Sequence, residues 1–225
     1  MTRRRAVASA GVVLAIAVLA FVVARREPSS TVTSIERAAW YQSPALLEKA
    51  WALPVAATYR AGYDTQRNAS FCGPASVVNV QRSLGARSDQ SVVLEGTGIS
   101  TVFGFVPGLT LDELATVTRH RTGRNVTILR GLDLPTLRAE LAKANDPAVR
   151  FIANFHRGPL FGRGGGHHSP IAGYLPEEDL VFVLDVNASY RPWLVSPARL
   201  LEAMNTVDSA TGLQRGLLRI EPGAP

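Results

Sequence analysis

The sequence FCGPAS at residues 71–76 holds the only cysteine of the 225-residue chain. Gly73 and Pro74 follow Cys72 directly, and an apolar run comes after them. Because proline is favoured in the first turn of a helix, this pattern predicts a helix that begins at Cys72. The positive end of the helix dipole would favour the thiolate, which is the reactive form of the side chain. Since free cysteines are also common as small buried apolar residues, the stretch alone leaves a nucleophile and a structural thiol both open.

A second feature is an uncharged apolar segment at residues 6–24, with arginines on both sides of it. A helix of this length spans about 28 Å, which is enough to cross a bilayer core. The basic residues on its N-terminal side would keep the N-terminus in the cytoplasm, so we expect the rest of the chain on the exported, periplasmic or extracellular, side. We favour a retained signal anchor over residues 1–26, because the apolar run is long for a signal peptide. Residues 22–24 nevertheless resemble a weak cleavage site.

The remaining chain divides into a predicted linker at residues 27–36 and one domain at residues 37–225. Within this domain the predicted helices begin near Ser43, Cys72, Thr110, Asp133 and Ser196. Predicted strands lie at residues 126–129, 151–155, 169–174, 180–186 and 216–220. Helices that mostly precede antiparallel strands indicate an α+β fold, with a helical N-terminal lobe and a C-terminal lobe built on a sheet.

The net charge of +6 does not indicate a nucleic-acid-binding protein. Five of the 24 basic residues flank the apolar segment, so the other 19 nearly balance the 18 acidic residues. No basic stripe interleaved with aromatic residues follows, and we expect no nucleic-acid partner. With a single cysteine, no disulfide can form within the chain, although an exported compartment would allow one.

A cysteine nucleophile needs a base, and His167 directly precedes the predicted strand at residues 169–174. The return strand carries Asp185 in an apolar run. If the turn is centred near Pro176, opposed positions sum to about 352, which places Asp185 opposite His167. A buried carboxylate is unfavourable unless it is paired, and this pair would orient the imidazole as the third member of a catalytic triad does. Gln66 and the backbone N–H of Cys72 are the predicted donors to an oxyanion.

Further stretches extend the pattern: FHRG at 155–158, GGHHSPIAGY at 165–174, LDV at 184–186 and DSATGLQRG at 208–216. Together with FCGPAS they resemble the phytochelatin synthase family of papain-like cysteine enzymes that act on glutathione. The resemblance implies a papain-like fold in residues 37–225. It also implies that Cys72 is the nucleophile, His167 the base, Asp185 the residue that orients this base and Gln66 the oxyanion residue.

The same resemblance implies that Arg215 and Asp208 bind the γ-glutamylcysteinyl group. The guanidinium would pair with its α-carboxylate and the carboxylate with its ammonium group. Gly166 and Gly73 complete the expected substrate-binding residues, because glycine lets a peptide backbone approach closely. His168 lies where the family tolerates an aromatic residue, so we do not expect it to be catalytic.

One departure from the family concerns the acceptor of the acyl group. Ala188 occupies the position of a basic residue that the family associates with a second glutathione, which puts polymerisation in doubt. We therefore expect cleavage of the Cys–Gly bond of glutathione followed mainly by hydrolysis, with short phytochelatins as a lesser product. The enzyme would need no cofactor, and cadmium or zinc would stimulate it only as thiolates of the glutathione substrate. A homodimer is compatible with the sequence.

Two alternatives remain open at this stage. The first is a papain-like peptidase that acts on another exported peptide. The second is a non-catalytic envelope protein that binds metal through Cys72 and histidines such as His156, His167 and His168, although their spacing matches no common zinc template. The glycine-rich residues 162–166 are not a phosphate-binding loop, because a strand follows them and no Gly-Lys-Ser/Thr does.

Overall fold

The computed structural model describes residues 32–106 and 108–223. The predicted signal anchor and residues 27–31 of the predicted linker lie outside these ranges. Within them, no helix is both long enough and apolar enough to cross a bilayer. From Val32 onward the chain forms one compact unit.

The first half of this unit is helical, as the sequence predicts. After a 3-10 turn at Ile35–Arg37, the α-helices are α1 (Pro44–Trp51), α2 (Pro54–Tyr59), α3 (Cys72–Ser83) and α4 (Leu111–Thr122). Pro54 begins α2, because a proline at the first position suits the start of a helix. A capping box between Thr110 and Glu113 fixes the start of α4, and Gly123 ends it in the left-handed conformation.

Six strands form one antiparallel sheet: β1 (Asn125–Leu129), β2 (Arg150–His156), β3 (Gly166–Leu175), β4 (Leu180–Val183), β5 (Trp193–Val195) and β6 (Gly216–Glu221). Their order in the sheet is β1-β6-β2-β3-β4-β5. The helices between them are α5 (Leu134–Leu141), α6 (Gly158–Phe161) and α7 (Pro197–Met204), with a 3-10 turn at Ala142–Asn145. Neither β5 nor α6 is predicted from the sequence, because both elements are too short to produce a periodic pattern.

Helices cover both faces of the sheet, so the predicted division into a helical lobe and a sheet lobe is right only in part. On one face, α2, α3 and α4 pack on side chains such as Ile152 and Phe182. On the other face, α5, α6 and α7 pack on Phe151, Ala153 and Phe155. Strand β2 is therefore buried on both sides, which agrees with its three consecutive apolar residues, Phe151, Ile152 and Ala153.

The predicted register of the hairpin formed by β3 and β4 is wrong. Leu175 pairs with Leu180, so the turn is centred between residues 177 and 178 and not on Pro176. A bulge between Ile171 and Gly173 then shifts the pairing again. Because β4 ends at Val183, Asp185 lies beyond the strand and is not directly opposite His167.

Candidate active site

The thiol of Cys72 lies at the first residue of α3, as the sequence predicts. Burial alone would raise its pKa. The hydrogen bond and positive charge of His167, together with backbone N–H groups of His168 and Gly73, outweigh burial and lower the pKa of the thiol. This environment favours the thiolate at the helix N-terminus.

The imidazole of His167 connects this thiol to a buried carboxylate. Its Nε2 lies 3.0 Å from Oδ1 of Asp185, which leaves Nδ1 for the hydrogen bond with Cys72. Burial alone would lower the pKa of His167, but the charge and hydrogen bond of Asp185 raise it, and Cys72 adds to this effect. A raised imidazole pKa beside a lowered thiol pKa favours a thiolate–imidazolium pair.

Asp185 is fully buried and accepts hydrogen bonds from more groups than the one that the sequence analysis expected. Oδ1 accepts from Nη2 of Arg157 at 2.8 Å and from the backbone N–H of Asn187 at 2.9 Å. Oδ2 accepts from Nε1 of Trp193 at 2.9 Å. Burial alone would raise the pKa of this carboxyl, but the charges and hydrogen bonds of His167 and Arg157 hold it well below its usual range. The carboxylate is therefore charged and fixed in position.

Arg157 and Trp193 are partners of Asp185 that were not predicted from the sequence. Arg157 is the charged one of the two. It follows β2 directly, is 5% exposed, and stacks its guanidinium 3.7 Å from the ring centroid of Tyr190. Part of the reason to expect a further partner of Asp185 can be read from the sequence. A carboxylate accepts about four hydrogen bonds, so one imidazole could not satisfy a fully buried Asp185. What the sequence lacked was any indication that the end of β2 approaches residue 185.

The backbone of Gln66 contacts the residue after Asp185, and its side chain contacts the segment that precedes α3. Its backbone N–H donates to the carbonyl of Val186 at 2.7 Å. Its Nε2 donates to the carbonyl of Asn68 at 2.8 Å, and that carbonyl also accepts from the N–H of Phe71. The amide is thus held next to the start of α3, and the second N–H of its Nε2 makes no hydrogen bond to another described residue. Its Oε1 is buried and accepts no hydrogen bond from the described residues.

The predicted substrate-binding residues do not all lie together. Arg215 is next to Gly166, where a Cβ would lie 3.0 Å from its Nη2, and Asp208 is 3.8 Å from the same nitrogen. Nη1 of Arg215 donates to the carbonyl of Val207, whereas its buried Nε has no acceptor among the described residues. Gly73 is instead buried in the packing of α3. Its described contact with the site is the hydrogen bond from its backbone N–H to the thiol of Cys72.

The ring of His168 contacts residues other than Cys72. Its Nε2 hydrogen bonds to the carbonyl of Leu109 at 2.8 Å, and the side chain of Asn154 lies beside it. Burial lowers its pKa to about 4, so the ring is neutral at physiological pH. His156 accepts the backbone N–H of Gly158 through Nδ1. Neither ring has a described contact with Cys72.

The substitution His168→Phe tests this assignment. We expect a loss of about 1–3 kcal/mol in the free energy of unfolding, because the buried carbonyl of Leu109 loses its donor. The pH midpoint of Cys72 alkylation should not change, since the backbone N–H of residue 168 remains. Chemical denaturation and alkylation kinetics measure the two effects. A displaced midpoint would show that the ring of His168 acts on the thiol.

The pKa shifts predict how Cys72 reacts with iodoacetamide, which alkylates only the thiolate. Because the thiol pKa is lowered, the rate should stay near its plateau below the usual thiol pKa of about 8.5. His167→Ala should move the midpoint to higher pH, since burial then acts without the opposing imidazolium. His120→Ala, a change at an exposed histidine, is the control. An unmoved midpoint in His167→Ala would contradict the thiolate–imidazolium pair.

Taken together, these residues can perform acyl transfer. They supply a thiolate at a helix N-terminus, an imidazole hydrogen bonded to it, a carboxylate that fixes the imidazole, and the amide of Gln66 held next to the start of α3. These are the parts that nucleophilic cysteine catalysis requires.

The comparisons with known proteins agree on one enzyme family. The family model for phytochelatin synthase matches residues 103–217, a range that includes His167 and Asp185 and begins after Cys72. Glutathione gamma-glutamylcysteinyltransferase 1 of Triticum aestivum is 32% identical over 174 residues, which are 70% of this chain and 34% of that protein. Glutathione gamma-glutamylcysteinyltransferase 3 of Lotus japonicus is 50% identical over 70 residues, 31% of this chain and 15% of that protein. The chain therefore spans about a third or less of these relatives.

Among solved structures, a C39-like peptidase from Bacillus anthracis is similar in fold. The TM-score is 0.53 with 12% sequence identity, over 74% of this chain and 97% of that one. At this level of identity the similarity concerns the fold alone. It supports the expected papain-like arrangement of helices and antiparallel sheet.

Proposed function

Because the chain belongs to the phytochelatin synthase family, we propose that it cleaves the Cys–Gly bond of glutathione through a γ-glutamylcysteinyl acyl-enzyme. The observation that supports this most directly is the buried, hydrogen-bonded series of Cys72, His167 and Asp185. Relatives named glutathione gamma-glutamylcysteinyltransferases supply the substrate class.

In the first half of the proposed reaction, the thiolate of Cys72 attacks the carbonyl carbon of the Cys–Gly bond. The oxyanion that forms accepts hydrogen bonds from the backbone N–H of Cys72 and from the free N–H of Gln66. The imidazolium of His167 then gives its Nδ1 proton to the nitrogen of the departing glycine, and a thioester remains on Cys72. Asp185 stays ionised throughout and holds the imidazole in place.

In the second half, the neutral His167 takes a proton from water as the water oxygen attacks the thioester. The tetrahedral intermediate then collapses with cleavage of the C–S bond, which releases γ-glutamylcysteine and leaves Cys72 as a thiolate. Because the imidazole keeps the proton that it took from water, the thiolate–imidazolium pair is restored. Arg215 and Asp208 would bind the charged α-carboxylate and ammonium of the γ-glutamyl group. Their position next to Gly166, which directly precedes His167, supports this assignment.

Water is the proposed main acceptor, with a second glutathione as the lesser one that yields short phytochelatins. Ala188 is exposed and carries no charge where the family has a basic residue. Arg191 is close in sequence, but its guanidinium lies 3.5 Å from the side-chain oxygen of Gln42, with its backbone at φ 55°. The region around Ala188 would therefore offer an acceptor glutathione less positive charge than the family pattern does.

We further propose that cadmium or zinc acts only as part of the substrate, as a thiolate of glutathione. We place the domain on the exported side of a membrane through residues 6–24, where the substrate pool would be exported glutathione. Both proposals go beyond the site itself and are tested separately from it.

The test is incubation of the full chain with glutathione, with and without cadmium and with a chelator, followed by mass spectrometry of the products. We expect release of glycine and γ-glutamylcysteine in the chelated sample, and loss of both in Cys72→Ala and His167→Ala. The variant His120→Ala should retain activity. Equal glycine release in Cys72→Ala would overturn the proposal. Cleavage of supplied peptides with glutathione left intact would point to a peptidase, and metal binding without turnover would point to a metal-binding protein.

A further inference from the structure

The exposed large apolar side chains of the described residues are concentrated on two loops. Of seven such side chains, five lie in the loops at residues 99–106 and 205–215. We call these five the apolar rim: Val102, Phe103, Phe105, Val207 and Leu213. Single exposed apolar residues are normal on a protein surface, whereas a group at one place marks a surface that contacts something.

The apolar rim lies at the mouth of the candidate active site. On one side, Asn68 donates to the carbonyl of Gly104 at 3.1 Å, and the N–H of Val106 donates to the hydroxyl of Ser70, two residues before Cys72. On the other side, the second loop ends at Arg215. This residue lies next to Gly166, which directly precedes His167.

A single arginine connects the two loop regions. Arg130 donates through Nε to the carbonyl of Gln214 at 2.8 Å and pairs with Asp112 at the start of α4. Since α4 begins at Leu111, shortly after the first loop ends at residue 106, Arg130 ties the second loop to the chain that continues from the first.

The conformation of the first loop holds an aromatic ring in solvent. Val102 and Phe105 pair through two backbone hydrogen bonds, and φ is 49° at Phe103 and 76° at Gly104. Positive φ at both central residues is the pattern of a type I′ turn, which strongly prefers Asn-Gly. An aromatic residue at the first of these positions is strained, and the Phe103 side chain is 98% exposed. The turn thus presents a large apolar group that packs on nothing in its own domain.

We infer that the apolar rim docks on the bilayer that the predicted signal anchor enters, so that the active site opens at the membrane surface. The inference rests on the proposed membrane location. Residues 25–31 could span at most about 25 Å when extended, so an anchor at residues 6–24 would keep Val32 within that distance of the bilayer. Aromatic side chains partition well into the interfacial region of a membrane. A second copy of the chain is the competing occupant, and the experiment distinguishes it.

The experiment places one environment-sensitive fluorophore on the full chain in vesicles of phosphatidylcholine with brominated acyl chains. In a Cys72→Ser background, Val102→Cys puts the fluorophore on the apolar rim. Val92→Cys is the matched control, because it is also an exposed valine and its carbonyl is bound by Arg121 at the far end of α4. The two ends of α4 are about 15 Å apart. Flotation of the vesicles and glutathione cleavage by the unlabelled chain are measured in parallel.

We expect blue-shifted emission and quenching by brominated lipid at position 102 and not at position 92. Adding Phe103→Asp should abolish the quenching while the chain still floats with the vesicles. Equal quenching at both positions, or none at position 102, overturns the docking inference and leaves the anchor intact. A blue shift at position 102 that rises with protein concentration in detergent, without lipid quenching, assigns the rim to a second copy and also overturns it. Failure to float overturns both membrane proposals, whereas glutathione cleavage tests the enzyme proposal independently.

Discussion

Replacement of Asp185 by Asn is expected to lower kcat for glycine release from glutathione by about 10³- to 10⁴-fold, the size of effect known for such a change in a catalytic triad. Asn has the shape of Asp but no charge, so the imidazolium of His167 loses the partner that raises its pKa. One carboxylate oxygen also becomes an N–H₂ group that faces donors from His167, Arg157 or Trp193. The imidazole would then lose both its orientation and its stabilised charge.

Two measurements separate this effect from simple unfolding. Steady-state kinetics give kcat and KM, and the pH midpoint of Cys72 alkylation should rise together with the fall in kcat. The control is Asp179→Asn on the same hairpin, where the aspartate pairs with Arg138 at the surface and has no described contact with the site. If Asp185→Asn stays folded and its kcat falls by less than about tenfold, below the usual contribution of acid–base catalysis, Asp185 does not orient the base.

The contact between His167 and Asp185 was predictable, but the route by which the chain makes it was not. Buried charge in an apolar run requires a partner, and this requirement holds whatever the register. The register itself depends on the turn, and nothing in the sequence indicates that Asp179 adopts φ 50° or that a bulge lies between Ile171 and Gly173. Asp185 reaches His167 because the chain leaves β4 after Val183.

The start of α3 at Cys72 was predictable for a different reason. Gly73 and Pro74 are local signals, and a helix start is decided largely by residues within one turn of it. The contacts of Arg157 and Trp193 are not local. Arg157 is 28 residues from Asp185 in sequence, and Trp193 lies in a strand of three residues, which is too short to show an alternating pattern. Such partners become visible only once the sheet order is known.

Arg157→Met is expected to destabilise the folded chain by about 3–5 kcal/mol, because it leaves the carboxylate of Asp185 buried with one cation fewer. Restoring neutrality should recover much of this loss, so the double variant Arg157→Met/Asp185→Asn should be more stable than Arg157→Met alone. Denaturation of the full chain in detergent measures Arg157→Met, Asp185→Asn and the double variant. Arg163→Met is the matched control, because the guanidinium of Arg163 pairs with Glu36 at the exposed surface and should contribute less than about 1 kcal/mol.

The pH dependence of this loss identifies its cause. The folded-state pKa of Asp185 is lowered, so its ionisation stabilises the native chain above the usual carboxyl pKa of about 4, and this contribution is lost as the pH falls through the folded-state value. The difference between the unchanged chain and Arg157→Met should therefore be largest near neutral pH. It should shrink as the pH falls through the pKa of this carboxyl in folded Arg157→Met, which the loss of the guanidinium raises above that of the unchanged chain. A difference that does not change with pH would mean that Arg157 contributes by packing against Tyr190 and Phe161, and that its charge does not hold Asp185.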